Sequence, residues 1–385
     1  MLAVMLFSVG AGSVVYMRKP VANGLYYPAE PAKLLAAVNQ YMDDAKPFDM
    51  PGRYMGCITP HSAYPYCGAV AGNAFRPLKR GQYDRVIVLG SSHFAEFEGC
   101  SIPAIQFYST PLGAVELDGP AIKKLLWCPQ IDTRSLTYQS AQRFADGSVR
   151  YPLHEVEYSI EVILPYLQAR LGKFKLVPII VGSFGGRGKG IDAAALQSAA
   201  EALRDIIDDR TFVVASTDLT HFGNAYGYHP FNEDIPAKIE DLDVEALELL
   251  MSRNSAGFQA YMDATKNPIC GASVLELFLK LMPADTQGVL LDYTTSAKIT
   301  GNTDTSVSYA AVAFYNPNLP APEPKPVTSL EPMAPPAPAD AKAGAPPLVP
   351  DGRVVEPPQA APKREAPKKD SQKKGLFHWF GKDKR

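Results

Sequence analysis

Cysteine is scarce in this chain of 385 residues: there are five, an odd number, and no CxxC pair. That excludes a disulfide framework and a zinc ribbon, and it favours a reducing compartment, the cytoplasm. An excess of one charge is equally lacking, with 38 Lys+Arg against 40 Asp+Glu, so the footprint of a nucleic-acid binder is missing. Neither phosphate-binding glycine loop occurs; Gly182–Gly190 is glycine-rich without the Walker spacing and reads as a flexible loop. There is no G-x-S-x-G elbow, which counts against a serine hydrolase, and no internal repeat. Histidine is rare as well, at six residues, which gives weight to where they fall.

What is present divides into three parts. Residues 1–16 form an apolar, uncharged extension followed by Arg18 and Lys19. It is slightly short for a spanning helix of about 20 residues and lacks the basic start of a secretory signal. The first reading is an upstream extension with translation starting at Met17. The second is an anchor with Arg18, Lys19 and the body on the cytoplasmic side, and a secreted protein is the third. Residues 17–315 form the body. Residues 316–385 form a Pro/Ala/Lys-rich tail that cannot bury enough apolar surface to order itself, so it is predicted to be disordered. The tail ends in a basic stretch, Lys363–Arg385, with a local charge of +6 around Leu376-Phe377-His378-Trp379-Phe380. Such a tip suits an anionic membrane or a groove on a protein partner, or is simply solvated.

The body alternates strand-like and helix-like segments. Apolar runs predict strands at Tyr54–Thr59, Arg85–Leu89, Lys175–Val181, Thr211–Ser216, Gly288–Ile299 and Ser306–Tyr315. Three- and four-residue apolar spacing predicts helices at Pro31–Ala45, Ser159–Leu171, Ala193–Ile207, Asp234–Met251 and Ala272–Met282, with Pro165 bending or shortening the second. This alternation indicates an α/β fold, a single large domain built on a central, mostly parallel or mixed sheet flanked by helices.

Three strands end in small or hydroxyl residues and then a histidine: Thr59-Pro60-His61, Gly90-Ser91-Ser92-His93, and Ser216-Thr217-Asp218-Leu219-Thr220-His221. Sites in open α/β sheets form outside the carboxyl ends of strands. If these strands are parallel neighbours, His61, His93 and His221 converge on one rim, whereas His154, His229 and His378 share no such pattern. Clustered imidazoles suit zinc, copper or iron, completed by an anionic ligand. Asp218, Glu161 and a cysteine are the candidates. Cys270 stands out because it lies at the predicted start of a helix, where a thiolate is favoured.

The run Pro60-His61-Ser62-Ala63-Tyr64-Pro65-Tyr66-Cys67-Gly68 resembles the PHAGYxYxG signature of the Memo-like proteins, also called protein B of the AmmeMemoRadiSam system. Leu89–His93, Glu157–Tyr166 (EHSxExxLP), Ser216–Phe222 (SSDxSHF), Ile269-Cys270-Gly271 and Ser306–Ala311 resemble further segments in the same order, and Met17–Pro20 with Gly24–Pro28 resembles the family's start. The resemblance covers about residues 17–315. It implies a fold like that of class III extradiol dioxygenases, with a cysteine where those enzymes place a glutamate. It implies His61, His93 and Cys270 as metal ligands, with iron or copper as the ion; a thiolate also suits zinc. It implies His221 as the acid/base group with Asp218 beside it, a pocket lined by Tyr64, Tyr158 and Glu161, and AMMECR1-like and radical SAM proteins as partners.

There are departures from the pattern. Ala63 replaces the glycine of PHAGY, and Tyr158 replaces the histidine of EHS, removing an imidazole from the pocket. His154 would share a helical face with Tyr158 if the helix reached back that far. Three functions follow: a metal-dependent redox enzyme, a non-catalytic binding or scaffold protein with a docking tail, and a dioxygenase acting on a catechol-like ring. The missing carboxylate ligand argues against the third.

Overall fold

The computed structural model describes residues 16–133, 137–139, 150–185 and 190–326. The apolar start up to residue 15, the middle of the glycine-rich loop and the tail beyond 326, with its basic aromatic tip, lie outside the described residues.

The main sheet is built from β1 (Arg53–Thr59), β2 (Arg85–Ser91), β3 (Cys100–Ser101), β4 (Ile131–Asp132), β5 (Lys175–Val181), β6 (Thr211–Ser216), β7 (His221–Gly223), β8 (Gln287–Thr295) and β9 (Thr305–Asn316). Its order is β7-β9-β1-β6-β2-β5-β3-β4, and β8 also pairs with β9. The central strands β1, β6, β2 and β5 are parallel. Antiparallel β9 joins β1 on one side and β3 joins β5 on the other, so the sheet is mixed. Seven helices of eight or more residues flank it among the described residues. Helices α1 (Pro31–Asp43), α2 (Tyr64–Phe75) and α3 (Leu164–Leu171) pack on one face, and α4 (Ala193–Arg204), α5 (Ile235–Met251), α6 (Ser255–Thr265) and α7 (Ala272–Leu281) on the other.

Both faces are covered, which is why the central strands read as unbroken apolar runs. In β2, Val86 and Val88 join the core under α1–α3, while Ile87 and Leu89 join the core under α4–α7. Burying each such side chain contributes roughly 1.5–3 kcal/mol.

Several segments differ from expectation for identifiable reasons. The helix expected from Ser159 begins only at Leu164, because Pro165 occupies its first turn; Glu161–Ile163 is a 3₁₀ turn. The strand expected to reach Ile299 stops at Thr295, whose hydroxyl accepts from the Lys298 N–H and caps the short helix Ser296–Thr300. Helix α2 was not expected, since its Gly- and Ala-rich sequence is buried almost all round and carries no amphipathic stripe. Its glycines let α1 approach: a Cβ on Gly72 would sit 2.4 Å from the Tyr41 carbonyl oxygen. Residues 317–326, assigned to the tail, have no regular secondary structure yet run along the body. Guanidinium donors hold them there: Arg53 bonds the Pro320 carbonyl at 3.1 Å and Arg210 the Glu323 carbonyl at 2.9 Å, and Lys325 pairs with Asp84. These partners stand at the starts of β1, β2 and β6, the rim opposite the one described next.

Candidate metal centre

The strands that end in the histidine motifs are neighbours. Ser216 of β6 is level with Thr59 of β1 on one side and with Gly90 of β2 on the other. The loops that follow therefore leave the sheet side by side, and they meet the segment that precedes α7. Ligand atoms of His61, His93 and Cys270 all lie within 4.8 Å of one another, and His61 Nε2 is 3.6 Å from Cys270 Sγ.

Hydrogen bonds fix which ring nitrogen each histidine offers. The Ser216 hydroxyl spends its proton on the Ser159 carbonyl at 2.5 Å, so His61 Nδ1–H is the donor in the 3.1 Å contact to Ser216 Oγ. His93 Nδ1–H donates to the buried Glu157 carboxylate at 3.0 Å. When neutral, both rings thus carry an unprotonated Nε2, and that of His61 faces the thiol, the arrangement that outer hydrogen bonds impose on metal-binding histidines. The sulfur accepts from the Asp218 N–H at 3.4 Å and lies 3.5 Å from Thr217 Oγ1 and 3.7 Å from Ser91 Oγ. Gly271 is required beside it, because a Cβ there would come within 2.4 Å of Thr217 Oγ1 and 2.8 Å of Ser91 Oγ.

Electrostatics agree with the geometry. Burial alone would raise the Cys270 thiol pKa, but the imidazoles of His61 and His93, with His221 beyond, outweigh burial and hold it well below the ordinary value. Burial disfavours charge on His93, yet Glu157 and Cys270 raise its pKa well above normal. His61 is likewise raised, by Cys270 and Asp218 against burial. Glu157, despite burial, is held down to about 2 by His93. These directions favour a thiolate beside protonated imidazole over a neutral thiol and neutral rings. Metal binding needs neutral histidine and a thiolate, and so would release protons from such a group.

The donor set fits a metal ion. A tetrahedral centre with M–N near 2.05 Å and M–S near 2.3 Å places N and S about 3.6 Å apart, the separation found between His61 Nε2 and Cys270 Sγ. A thiolate with two imidazoles is a soft set suited to copper(I), zinc or iron.

The other expected site residues are placed as follows. Tyr158 stacks on His93, with ring centroids 4.9 Å apart and planes 7° apart, and meets His61 edge-on at 5.9 Å. His221 lies at the start of β7 with Nδ1 on the Leu219 carbonyl at 2.9 Å and its ring edge-on to Tyr226. Asp218 does not orient His221. It accepts from the His61 N–H at 3.0 Å and the Ser62 hydroxyl at 2.5 Å, and so fixes the His61 loop. Glu161 does not join the group either. Buried, it pairs with Arg18 and accepts from Tyr27 Oη and from the N–H groups of Val21 and Ala22, which occupies its lone pairs and ties the start of the body to the domain. Tyr64 is a core residue at the start of α2, its hydroxyl on the Val162 carbonyl. His154 does not substitute for an imidazole at position 158. Its helix is a single turn, Leu153–Val156, and its ring is buried between Tyr108 Oη and the Ser101 carbonyl.

Sequence reasoning missed Glu157 as the partner of His93, although it opens the Glu157–Tyr166 motif; a carboxylate beside a motif was the available signal. It also missed Ser216, and the buried Asp243, which accepts from Thr220 Oγ1 at 2.6 Å while Asn267 donates to Thr220 at 2.7 Å, linking the loop after β6 to the segment that carries Cys270. No local pattern announces that contact.

A mixed α/β sheet whose parallel strands deliver two imidazoles to a cysteine held just before α7 defines an α/β protein with a histidine–cysteine group able to hold a metal ion. A family profile described as Memo-like protein matches residues 18–313, and the chain belongs to that family. It is similar to Protein memo-1 homolog of Caenorhabditis elegans, 29% identical over 77% of this chain and 82% of that protein. It is similar to Protein MEMO1 of Homo sapiens, 25% identical over 78% of this chain and 98% of that protein. A MEMO1 family protein of Thermococcus onnurineus is 24% identical over 77% of this chain and 99% of its own length. No helix among the described residues is long and apolar enough to cross a membrane.

Proposed function

We propose that this Memo-family protein binds a redox-active metal ion, iron or copper, on His61, His93 and Cys270 and uses it in oxidative chemistry. The observation that carries the reading is the convergence of one ligand atom each from His61, His93 and Cys270 within 4.8 Å of one another. When bound, the ion supplies Lewis acidity and one-electron chemistry. The chain's own residues do the rest. Glu157 and Ser216 hold the histidine tautomers, and Asp218 anchors the His61 loop. His221, with Nδ1–H held by the Leu219 carbonyl, has its Nε2 as the nitrogen to take or give a proton. On the family resemblance, AMMECR1-like and radical SAM proteins are its working partners, and the basic aromatic tip of the tail docks a protein or an anionic membrane.

The test is elemental analysis of protein purified without oxygen. About one equivalent of metal in the wild type, falling at least tenfold in His61→Ala, supports the reading; equally low metal in both overturns it. A second reading, a non-catalytic binding protein, is favoured by Tyr158, which puts a phenol ring against His93 where relatives are expected to have an imidazole. A metal content that survives with no redox response to peroxide would favour it.

A further inference from the structure

Tyr158 does more than fill space. Its ring lies parallel to the His93 imidazole at 4.9 Å, and the Tyr26 ring lies 4.4 Å from it at 35°. At that separation the two phenol rings are in direct contact. Rings in contact bring their carbons within reach of one another, and a phenoxyl radical carries part of its spin on the carbons ortho to the oxygen. Burial pushes the Tyr26 pKa up to about 12 and Tyr158 well above normal, so both remain protonated phenols near neutrality.

We propose that Tyr26 and Tyr158 form an oxidative modification site, in which two oxidising equivalents delivered through His93 remove one electron from each tyrosine and couple the pair as a dityrosine. The proposal rests on the reading of the His61–His93–Cys270 group as the seat of a redox-active ion. Each tyrosine loses one electron and its phenolic proton. The two phenoxyl radicals join through one bond between ortho carbons, and the displaced ring hydrogens move to the oxygens to restore the phenols. Hydrogen peroxide accepts the two electrons and two protons and becomes two waters. The cross-link ties the segment before α1 to the wall of the site. Other close tyrosine pairs are internal controls: Tyr64 and Tyr166 are 5.1 Å apart, but their hydroxyls bond separate carbonyls, of Val162 and Gly68.

The experiment uses the full chain loaded with copper(I) or iron(II), with metal content measured, then treated with stoichiometric peroxide. Dityrosine fluorescence and peptide mass analysis should find peptides containing residues 26 and 158 joined, with two hydrogens lost. The yield should exceed that of zinc-loaded protein at least fivefold. Tyr158→Phe and Tyr26→Phe should each bring it to background with metal content unchanged. A full complement of copper or iron with no 26–158 cross-link overturns the proposal and leaves the metal reading standing. An equal yield in the zinc-loaded protein, or undiminished 26-linked product in Tyr158→Phe, also overturns it. Protein that holds no metal overturns the metal reading and this proposal together, a result that elemental analysis reports separately.

Discussion

The buried carboxylate of Glu157 grips His93 twice, accepting its backbone N–H at 2.7 Å and its Nδ1–H at 3.0 Å, and it also accepts from the N–H groups of Tyr158 and Ser159. One side chain therefore fixes the loop, the tautomer and the residue stacked on the ring. In Glu157→Gln a single amide oxygen must serve donors that two carboxylate oxygens now share. Metal affinity, measured by competition with a chromophoric chelator, is expected to fall roughly 10–100-fold. An unchanged affinity would remove Glu157 from the account of the site.

His154 gives a pH dependence. It is buried as the neutral Nε2–H tautomer, donating to the Ser101 carbonyl at 3.0 Å, with Tyr108 Oη at Nδ1. Burial pushes its pKa down to about 3. Above the ordinary histidine value both folded and unfolded states are neutral there and nothing is lost. As pH falls below about 6.5 the unfolded chain takes up the proton first, so stability drops by about 1.4 kcal/mol per pH unit until the folded pKa is reached. Urea unfolding at pH 7, 6, 5 and 4 should show this, and His154→Gln should flatten the slope by about one proton. Identical slopes in the two proteins would contradict it.

The parallel strands and the post-strand histidines were legible because their signals are local. An apolar run of strand length followed by small residues needs both sheet faces covered, and β5 and β6 match expectation residue for residue. The convergence of His61, His93 and Cys270 followed from the parallel order of β1, β6 and β2 together with the family motifs. What was not legible depends on contacts across long stretches of chain. Glu161 reads as a pocket carboxylate until Arg18 is seen beside it. Asp218 reads as the partner of His221 because it is near in sequence, yet its oxygens turn to the His61 loop. Helix α2 is hidden because close packing on α1 called for glycine and alanine, which erase an amphipathic pattern.

The Arg18–Glu161 pair carries a stability prediction. Both side chains are buried, and Arg18 also donates to the His154 and Glu157 carbonyls at 2.6 Å. Removing one partner strands the other charge, so Arg18→Ala should lose about 3–5 kcal/mol in urea unfolding. Metal bound per folded molecule should stay the same, since Glu161 is not a ligand. A folded Arg18→Ala protein with normal stability would contradict the pairing.

Gly271→Ala tests the space around the sulfur. The added methyl would press on Thr217 Oγ1 and Ser91 Oγ, the hydroxyls that flank Cys270 Sγ. Overpacking of this kind costs roughly 1–3 kcal/mol, and metal affinity should weaken along with stability. A variant that binds metal as well as the wild type would show that the hydroxyls can move without moving the sulfur.

The most direct measurement is X-ray absorption at the metal edge of the loaded protein, wild type against Cys270→Ser. In the zinc-loaded protein a sulfur shell at about 2.3 Å and nitrogen at about 2.0–2.1 Å are predicted, with the sulfur shell gone in the variant. A wild-type spectrum with no sulfur, or a sulfur shell that persists in Cys270→Ser, would contradict a centre built on His61, His93 and Cys270.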